Sequence, residues 1–470
     1  MILLRNMAKL PPSLPRETAL KIAQMYSYQG KDDSVITNYV YTDKTLYLPP
    51  NKQKLRQVAA ILGEEIIDQR SAGAPISTQF KVRDDFKFRP HQEQPASEFL
   101  NHIKEHQYGV LEAPCGSGKT VMLSYTAGQL QCKTLIVVDI DIFGQWEFAF
   151  DVVYGVPVQK LTKDTTKFAD VGFTTFQFLN KNKEILSRIK EEYGCLIVDE
   201  MHSIGSAETY KGVMYRLNNK YRCGTTATFM NKNFPKEILI DTISSVSVKM
   251  NETDTLVPDV YFVKTGIEWI SNDPYEIAKV NKNLTNNQFR NSIIQNLIET
   301  EIESGGVVIL IANSTEQAKM FGKVFKAHKT VKPVVFVSGT SVSNDELKRR
   351  VSSGECNLIL TCRKVEKAVD LPSADCMIMA RLFNSEAVVQ QLRGRIERNV
   401  EGKRKPVLYV LVDTLEDRID DVWSKTFQQK SLAEVFAWKH KNWHQKRGCS
   451  LFELNSNLEA KYVTTTNNQN

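Results

Sequence analysis

The run Ala-Pro-Cys-Gly-Ser-Gly-Lys-Thr at residues 113–120 constrains the fold of this 470-residue chain more than any other feature. It follows a segment typical of an apolar strand (108–112) and precedes a segment typical of a helix (121–130). A phosphate-binding loop needs this order of strand, loop and helix, which belongs to folds with a parallel β-sheet. The run therefore predicts a site for a nucleoside triphosphate.

The residue types in this loop suit the binding of phosphate. Gly116 and Gly118 allow the backbone to bend, so that N–H groups converge on phosphate oxygens at the positive end of the helix dipole. We expect Lys119 to reach the β- and γ-phosphates of ATP and the Thr120 hydroxyl to ligate Mg²⁺. The alternative is a turn that is rich in glycine by chance. The other loop residues expected at the nucleotide are Pro114, Cys115 and Ser117.

An acidic pair, Asp199-Glu200, follows the apolar run 195–198, which predicts a short buried strand. In open α/β sheets the chemistry gathers at the carboxyl ends of the strands. We therefore expect Asp199 to hold Mg²⁺ through water and Glu200 to polarise the attacking water. The alternative is an acidic pair that caps a surface strand.

Two arginines stand near the end of the run Gln-Leu-Arg-Gly-Arg-Ile-Glu-Arg at residues 391–398. On a helix, Arg395 and Arg398 would share a face because they are three residues apart. Such a pair suits the charge that develops on the γ-phosphate during hydrolysis, and we place Gln391 with the arginines among the catalytic residues. The alternative is a basic helical face in contact with water.

With these motifs in this order, the chain resembles the superfamily 2 helicases of the DExH type from about residue 88 to residue 398. The segment 88–92 resembles the one with which the family reads adenine, which implies that Gln92 and Arg89 bind the nucleotide. The segment 361–372 resembles a motif that senses ATP and nucleic acid. It implies that Asp370 lies at the nucleotide and Thr361 at the strand.

Further segments resemble the motifs with which the family contacts a nucleic-acid strand. The resemblance implies strand contacts by Gln145 and Trp146, and by Thr174 and Thr175. The family often has a basic residue where this chain has Val-Asp-Ile at residues 138–140. This difference puts in doubt how the strand is gripped, but not the hydrolysis of ATP.

The alternation of apolar strands with helical stretches predicts two units of the same kind in tandem. We expect an α/β protein with two RecA-like parallel-sheet motor domains at residues 83–250 and 251–425. A small α+β domain, a candidate for DNA binding, should precede them at residues 1–82. A helical extension with a polar tail should follow at residues 426–470.

The N-terminal domain contains a predicted hairpin over residues 34–48 that turns near Asp43-Lys44. Alternation along a strand places Tyr39 and Tyr41 on one face, which is either the core of this domain or a surface for duplex DNA.

The C-terminal extension clusters basic residues around aromatic ones, among them Trp438, Trp443, His440 and His444. Such a cluster either grips nucleic acid, or belongs to a helix whose tryptophans pack on the second motor domain.

Composition agrees with these expectations. The formal net charge of +7 favours a polyanionic partner. The eight cysteines form no Cys-x-x-Cys pair, and no apolar run approaches the roughly 20 residues that cross a bilayer. We expect a cytoplasmic monomer, in the host cytoplasm if it is viral, that acts with replication or recombination proteins.

The resemblance is strongest to the branch-migrating DNA helicases of tailed bacteriophages, the UvsW type. It implies an ATP- and Mg²⁺-dependent helicase or translocase that acts on single strands and branched DNA, including forks and Holliday junctions. An RNA helicase, a nucleotide-gated clamp without processive unwinding and a nuclease-associated motor are the alternatives.

Overall fold

The computed structural model divides into two compact units, Met1–Thr253 and Asp254–Asn470. The described residues are 1–30, 34–114, 116–139, 142–201, 204–227, 229, 234–250, 255–267, 283–362, 371–415, 431–458 and 460–462. None of the helices within these ranges is long and apolar enough to span a membrane.

The first unit opens with a small α+β module at residues 1–70. Its elements are β1 (Ile2–Leu4), β2 (Ala8–Lys9), α1 (Arg16–Gln24), β3 (Ser27–Gln29), β4 (Val35–Thr37), β5 (Val40–Thr42), β6 (Thr45–Leu48), α2 (Lys52–Leu62) and β7 (Ile66–Asp68). Five strands form a mixed sheet in the order β5-β6-β2-β1-β7, and β3 pairs with β4.

The predicted hairpin is present but shorter than expected. Strand β5 pairs with β6, whereas β4 turns away to pair with β3. Asp43 and Lys44 both have positive φ, 49° and 57°, which suits a tight two-residue hairpin turn. The two tyrosines differ, because Tyr39 packs partly against the core of the module while Tyr41 is 63% exposed.

A seven-stranded parallel sheet follows in the first unit. Its elements are α3 (Pro90–His106), β8 (Tyr108–Glu112), α4 (Lys119–Gln129), β9 (Thr134–Val138), α5 (Phe143–Tyr154), β10 (Gln159–Lys160), β11 (Val171–Thr175), α6 (Phe176–Lys181), α7 (Lys183–Arg188), β12 (Cys195–Val198), α8 (Ala207–Met214), β13 (Tyr221–Thr226), α9 (Lys236–Thr242) and β14 (Val246–Lys249). The strand order is β10-β11-β9-β12-β13-β8-β14.

The strands of this sheet are apolar along their whole length because helices cover both faces. In β12, Ile197 packs into one hydrophobic core, while Leu196 and Val198 pack into the core on the opposite face. Burial on both faces explains why the run preceding the acidic pair does not alternate with polar residues.

The second unit contains an eight-stranded sheet. Its elements are β15 (Asp259–Lys264), α10 (Gln288–Glu303), β16 (Val308–Ile311), α11 (Thr315–Val324), β17 (Pro333–Val335), α12 (Asn344–Ser352), β18 (Leu358–Thr361), β19 (Cys376–Met379), α13 (Glu386–Arg393), β20 (Val407–Val412), α14 (Leu432–Lys446), β21 (Ser450–Leu454) and β22 (Ala460–Tyr462). The strand order is β17-β18-β16-β19-β20-β15-β21-β22, and only the β21–β22 pair is antiparallel.

The predicted fold class is confirmed: two tandem α/β sheets, a small α+β module before them and a helical extension after them. The sequence did not predict that β21 and β22 extend the second sheet after α14. In α14, His440 and His444 are wholly buried and Trp443 packs against the core, whereas Trp438 is 39% exposed. The packing alternative therefore holds for most of the aromatic residues.

Candidate nucleotide site and strand contacts

Three neighbouring strands of the first unit bring the predicted hydrolytic residues together. Strand β13 lies between β8 and β12, and all three are parallel, so their carboxyl ends meet at one edge of the sheet. The glycine-rich loop follows β8 and the acidic pair follows β12. Across this edge Lys119 Nζ lies 3.7 Å from Glu200 Oε1.

The loop has the backbone that phosphate binding needs. Gly116 and Gly118 have φ angles of 79° and 86°, in the left-handed region that favours glycine. A Cβ atom on Gly118 would also lie 2.1 Å from Gln92 Nε2. The buried Ser117 Oγ has no hydrogen-bond partner among the described residues. Cys115, also expected here, lies outside the described residues.

Lys119 begins helix α4 and is 7% exposed. Its ammonium donates to two carbonyl oxygens of the loop, those of Ala113 at 3.0 Å and Pro114 at 3.4 Å. A buried ammonium beside backbone oxygens is a strong partner for an anion, because water screens it little. Pro114 and Thr120, which belong to the same run of residues as Lys119, are half-buried.

Asp199 is 3% exposed and accepts two hydrogen bonds. Trp146 Nε1 donates to Oδ2 at 3.0 Å, and the backbone N–H of Glu200 donates to Oδ1 at 2.8 Å. Burial, and then the neighbouring Glu200 carboxylate, raise the pKa of Asp199 to about 7 although Lys119 lowers it. A carboxylate held in this way is stabilised by an added cation, so the site fits Mg²⁺.

Glu200 has a left-handed backbone with a φ of 48°. A residue with a side chain in this region stores about 1–3 kcal/mol, and such strain is concentrated at functional sites. The strained backbone turns the chain directly after β12, where the Glu200 carboxylate approaches Lys119.

Gln92, which we expected at the adenine, bonds to the phosphate-binding loop in this structure. Its Nε2 donates to the Ser117 carbonyl at 2.8 Å, and its Oε1 accepts from the Arg89 backbone at 3.1 Å. The Gln92 side chain is only 4% exposed, and its bond to Ser117 supports the phosphate-binding loop from the interior of the domain. The Arg89 side chain is exposed, and the ring of Phe88 meets Tyr125 edge-on at 5.0 Å.

Glu112, the last residue of β8, lies at the same edge of the sheet and was not singled out by the sequence analysis. Its Oε2 accepts from the backbone N–H of Phe229 at 3.1 Å, and its Oε1 lies 2.9 Å from Lys249 Nζ. Phe229 comes directly after the Thr-Ala-Thr run at residues 226–228, and Glu112 comes directly before the phosphate-binding loop. An acidic residue directly before the phosphate-binding loop was the sequence signal that could have identified Glu112.

The structure buries most of the side chains that we expected at the strand, and their contacts with a strand stay a prediction. Trp146 is wholly buried and bonds to Asp199, so it cannot reach a strand in this conformation. Thr174 and Thr361 are 3% and 0% exposed. Thr175 is half-buried and caps α6 by accepting from the Phe178 N–H at 3.1 Å. Gln145 is also half-buried.

The two arginines of the second unit do not lie on a helix, contrary to our expectation. Helix α13 ends at Arg393, and Gly394 follows it. Arg395 lies in a turn, and Arg398 forms an isolated antiparallel bridge with Thr255. Arg395, Arg398 and Gln391 are all half-buried, and Asp370 lies outside the described residues.

The N-terminal module is attached to the first sheet domain through a buried carboxylate. Asp241, near the end of α9, is 1% exposed. Lys54 Nζ lies 3.0 Å from its Oδ1, and Asn38 Nδ2 donates to its Oδ2 at 2.8 Å. The Tyr28 hydroxyl also donates to Oδ2 at 2.5 Å. These contacts fix the module to the helix that follows the Thr-Ala-Thr run.

Two family models match the chain. Residues 85–231 match "Type III restriction enzyme, res subunit", and residues 290–400 match "Helicase conserved C-terminal domain". Together these matches cover more than half of the chain, and each lies within one of its two units.

Curated relatives include two viral proteins. A probable helicase of Escherichia phage T5 is 23% identical over 357 residues, which are 74% of this chain and 75% of the relative. A candidate ATP-dependent RNA helicase of Acanthamoeba polyphaga mimivirus is 22% identical over 433 residues, covering 85% and 76%.

Among solved structures, one with a TM-score above 0.5 shows the same kind of fold. A fragment of a candidate HsdR subunit of a type I restriction enzyme from Vibrio vulnificus has a TM-score of 0.52 at 12% identity, and the match covers 95% of this chain and 85% of the fragment. Bacteriophage T4 UvsW has a TM-score of 0.41 at 13% identity, covering 97% and 99%. The second score is too low to establish a shared arrangement.

Proposed function

Because this chain belongs to superfamily 2 of the helicases, we propose that it is an ATP-driven DNA translocase that unwinds or remodels branched duplexes. The use of ATP, the binding of nucleic acid and the helicase activity follow from the family. The preference for DNA and for branched substrates, and the roles of individual residues, are the proposal.

The main observation in support of ATP hydrolysis at this site is the distance of 3.7 Å between Lys119 Nζ and Glu200 Oε1. Lys119 would offset the negative charge of the β- and γ-phosphates. Glu200 would accept a proton from the attacking water at its carboxylate. Thr120 and Asp199 would hold Mg²⁺, which supplies positive charge to the phosphate oxygens when it is bound.

The arginines of the second unit would complete the site. Arg395 and Arg398 belong to the second unit, whereas the phosphate-binding loop belongs to the first. In the proposed mechanism, their charges would act on ATP in a closed state of the motor. A charge that arrives in the closed state stabilises the transition state and ties hydrolysis to domain movement.

The acidic motif favours DNA as the substrate. DEAD-box RNA helicases carry Asp-Glu-Ala-Asp, whereas this chain carries Asp-Glu-Met-His at residues 199–202. The net charge of +7 suits either nucleic acid. Since the mimivirus relative is named for RNA, RNA has to be measured beside DNA.

The N-terminal module supports the preference for branched DNA. Its β5–β6 hairpin forms one edge of the five-stranded sheet and exposes Tyr41, together with Val40 and Lys44. An exposed aromatic ring beside a basic residue can stack on a base and contact a phosphate. Asn38 and Lys54 lie on either side of this hairpin in the sequence, and their contacts with Asp241 hold the module on the first motor domain, where the hairpin would meet a duplex at a junction.

Strand displacement tests this proposal. The substrates are a DNA fork, a DNA four-way junction and an RNA duplex of matched sequence, each with ATP and Mg²⁺. We expect the protein to separate both DNA substrates, Lys119→Ala to separate neither, and Lys104→Ala, which removes an exposed lysine of α3, to act as the unaltered protein does.

Two results would contradict the proposal. Displacement of the RNA duplex alone would identify an RNA helicase. ATP hydrolysis that DNA stimulates without displacing any strand would identify a nucleotide-gated clamp.

A further inference from the structure

The segment that carries the two arginines needs support from outside its own helix. Helix α13 ends at Arg393, the Gly394 N–H makes its last regular hydrogen bond, to the Gln390 carbonyl at 2.9 Å, and residues 395–398 do not continue the helix. The bonds that follow are those of a turn, from the Arg395 N–H to the Leu392 carbonyl and from the Ile396 N–H to the Arg393 carbonyl, both at 3.0 Å. The position of the arginines therefore depends on what packs around this segment.

Arg393 connects the segment to the C-terminal helix α14. It is 4% exposed, and its Nε donates to Glu397 Oε1 at 2.6 Å. Its Nη1 donates to Nδ1 of the wholly buried His444 at 3.1 Å. Burial, and then the charge of Arg393, lower the pKa of His444 well below its usual value, so the ring is neutral and can accept this bond.

A second connection comes from Arg447, directly after α14. Its Nε lies 3.6 Å from Glu397 Oε2, and its Nη2 donates to Thr255 Oγ1 at 2.7 Å. Thr255 in turn forms the backbone bridge with Arg398. The N–H of Leu256 donates to the Glu397 carbonyl at 2.7 Å. These contacts hold the segment between the C-terminal helix and residues 255–256.

Glu397 is the centre of this arrangement. It stands between the two arginines in the sequence, and its carboxylate faces Arg393 through one oxygen and Arg447 through the other. Arg393 from α13 and Arg447 from the C-terminal extension therefore fix the orientation of the Glu397 carboxylate between them.

We propose that His444 and Arg447 are positioning residues that set the orientation of Arg395 and Arg398 for ATP hydrolysis. This inference rests on the proposed role of those arginines. It gives the C-terminal extension a part in the ATPase cycle, in addition to its packing on the second sheet.

Steady-state ATPase assays of Arg447→Ala in the full-length protein test the inference. Arg447 is half-buried, so its loss should leave the melting temperature nearly unchanged. Misplacing the arginines should lower kcat by about tenfold or more, while the KM for ATP stays within about twofold. The matched control is Arg349→Ala, which removes another arginine–glutamate pair of the same unit (Arg349 with Glu355, 2.9 Å) and should leave kcat unchanged.

Arg447→Lys provides a second variant if Arg447→Ala does not fold. Lysine keeps the charge but cannot contact Glu397 and Thr255 together through one planar group. The kcat of Arg447→Lys should therefore lie between that of the unaltered protein and that of Arg395→Ala. A kcat for Arg447→Lys equal to that of the unaltered protein, or a kcat for a folded Arg447→Ala equal to that of Arg349→Ala, would overturn the inference.

Arg395→Ala, measured in the same assay, separates this inference from the proposed function. If Arg395→Ala hydrolyses ATP normally, the proposed role of the arginines is wrong. If Arg395→Ala loses turnover and Arg447→Ala keeps it, only the positioning role of the extension is wrong.

Discussion

Trp146 Nε1 donates a hydrogen bond to Asp199 Oδ2 at 3.0 Å, and both side chains are almost completely buried. Trp146 belongs to α5, the helix that also carries Gln145, and we expected both residues to contact the strand. This bond joins α5 directly to the carboxylate expected to hold Mg²⁺. A displacement of α5 when nucleic acid binds would therefore change the surroundings of Asp199, which provides a physical path from strand to hydrolysis.

Trp146→Phe tests this connection because phenylalanine keeps an aromatic ring and removes the N–H group. A buried acceptor that loses its donor costs about 1–3 kcal/mol, so we expect a measurable loss of stability. The kcat of DNA-stimulated ATP hydrolysis should fall, while affinity for single-stranded DNA should stay unchanged. Normal turnover with lost DNA affinity would instead restore Trp146 as a strand contact.

Glu200→Gln should bind ATP and Mg²⁺ as well as the unaltered protein does, but should hydrolyse ATP far more slowly because the amide cannot accept the proton of water. The variant should remain bound to DNA when ATP is present. Binding of a fluorescent ATP analogue and single-turnover hydrolysis measure the two effects. If Glu200→Gln binds ATP as poorly as Lys119→Ala, then Glu200 is not the base.

Asp241→Ala should release the N-terminal module from the first motor domain. The change leaves Lys54 without its carboxylate partner and Asn38 without an acceptor, and breaking a buried pair of this kind costs about 3–5 kcal/mol. We expect faster proteolysis near residues 71–75 and a loss of four-way junction unwinding, with ATPase activity on single-stranded DNA retained. The control is Asp85→Ala, which removes an exposed partner of Arg83. Unchanged junction unwinding by a proteolysed Asp241→Ala would contradict the role of the module.

The second unit should lose stability in mild acid because of His440. Burial lowers the pKa of His440 to about 4, whereas an unfolded chain has a value near 6.5. Below pH 6.5 His440 takes up a proton in the unfolded chain but stays neutral in the folded chain. The contribution of neutral His440 to the free energy of unfolding is therefore complete above pH 6.5 and is lost as the pH falls toward 4. The loss should be on the order of 2 kcal/mol by about pH 5. Unfolding curves of His440→Gln should depend less on pH over this range, and an equal dependence would contradict this account.

Local patterns in the sequence were sufficient to predict the elements of the nucleotide site. The apolar runs before residue 113 and before Asp199 predict buried strands, and parallel strands bring their carboxyl ends to one edge. These patterns alone predict that Lys119 and Glu200 lie near each other, and their charged groups are 3.7 Å apart.

The sequence analysis did not foresee the burial of Trp146 or the conformation of residues 395–398. In both cases the hydrogen-bond partner lies far away in the sequence. Trp146, Ala149, Phe150 and Val153 recur at the spacing of a buried helix face, a signal that could have predicted burial. No local pattern predicts the hydrogen bond between Trp146 and Asp199, because the two residues are 53 positions apart in the sequence. The helix predicted for Arg395 and Arg398 failed for the same reason, since a bridge to Thr255 competes with helical hydrogen bonds.

The rate of ATP hydrolysis with different nucleic acids tests the central claim most directly. Turnover is measured with single-stranded DNA, duplex DNA, forked DNA, a four-way DNA junction and RNA at equal nucleotide concentration. An ATP-driven motor for branched DNA predicts the highest kcat/KM with the fork and the four-way junction and little stimulation by RNA. Equal rates with all five, or the highest rate with RNA, would contradict it.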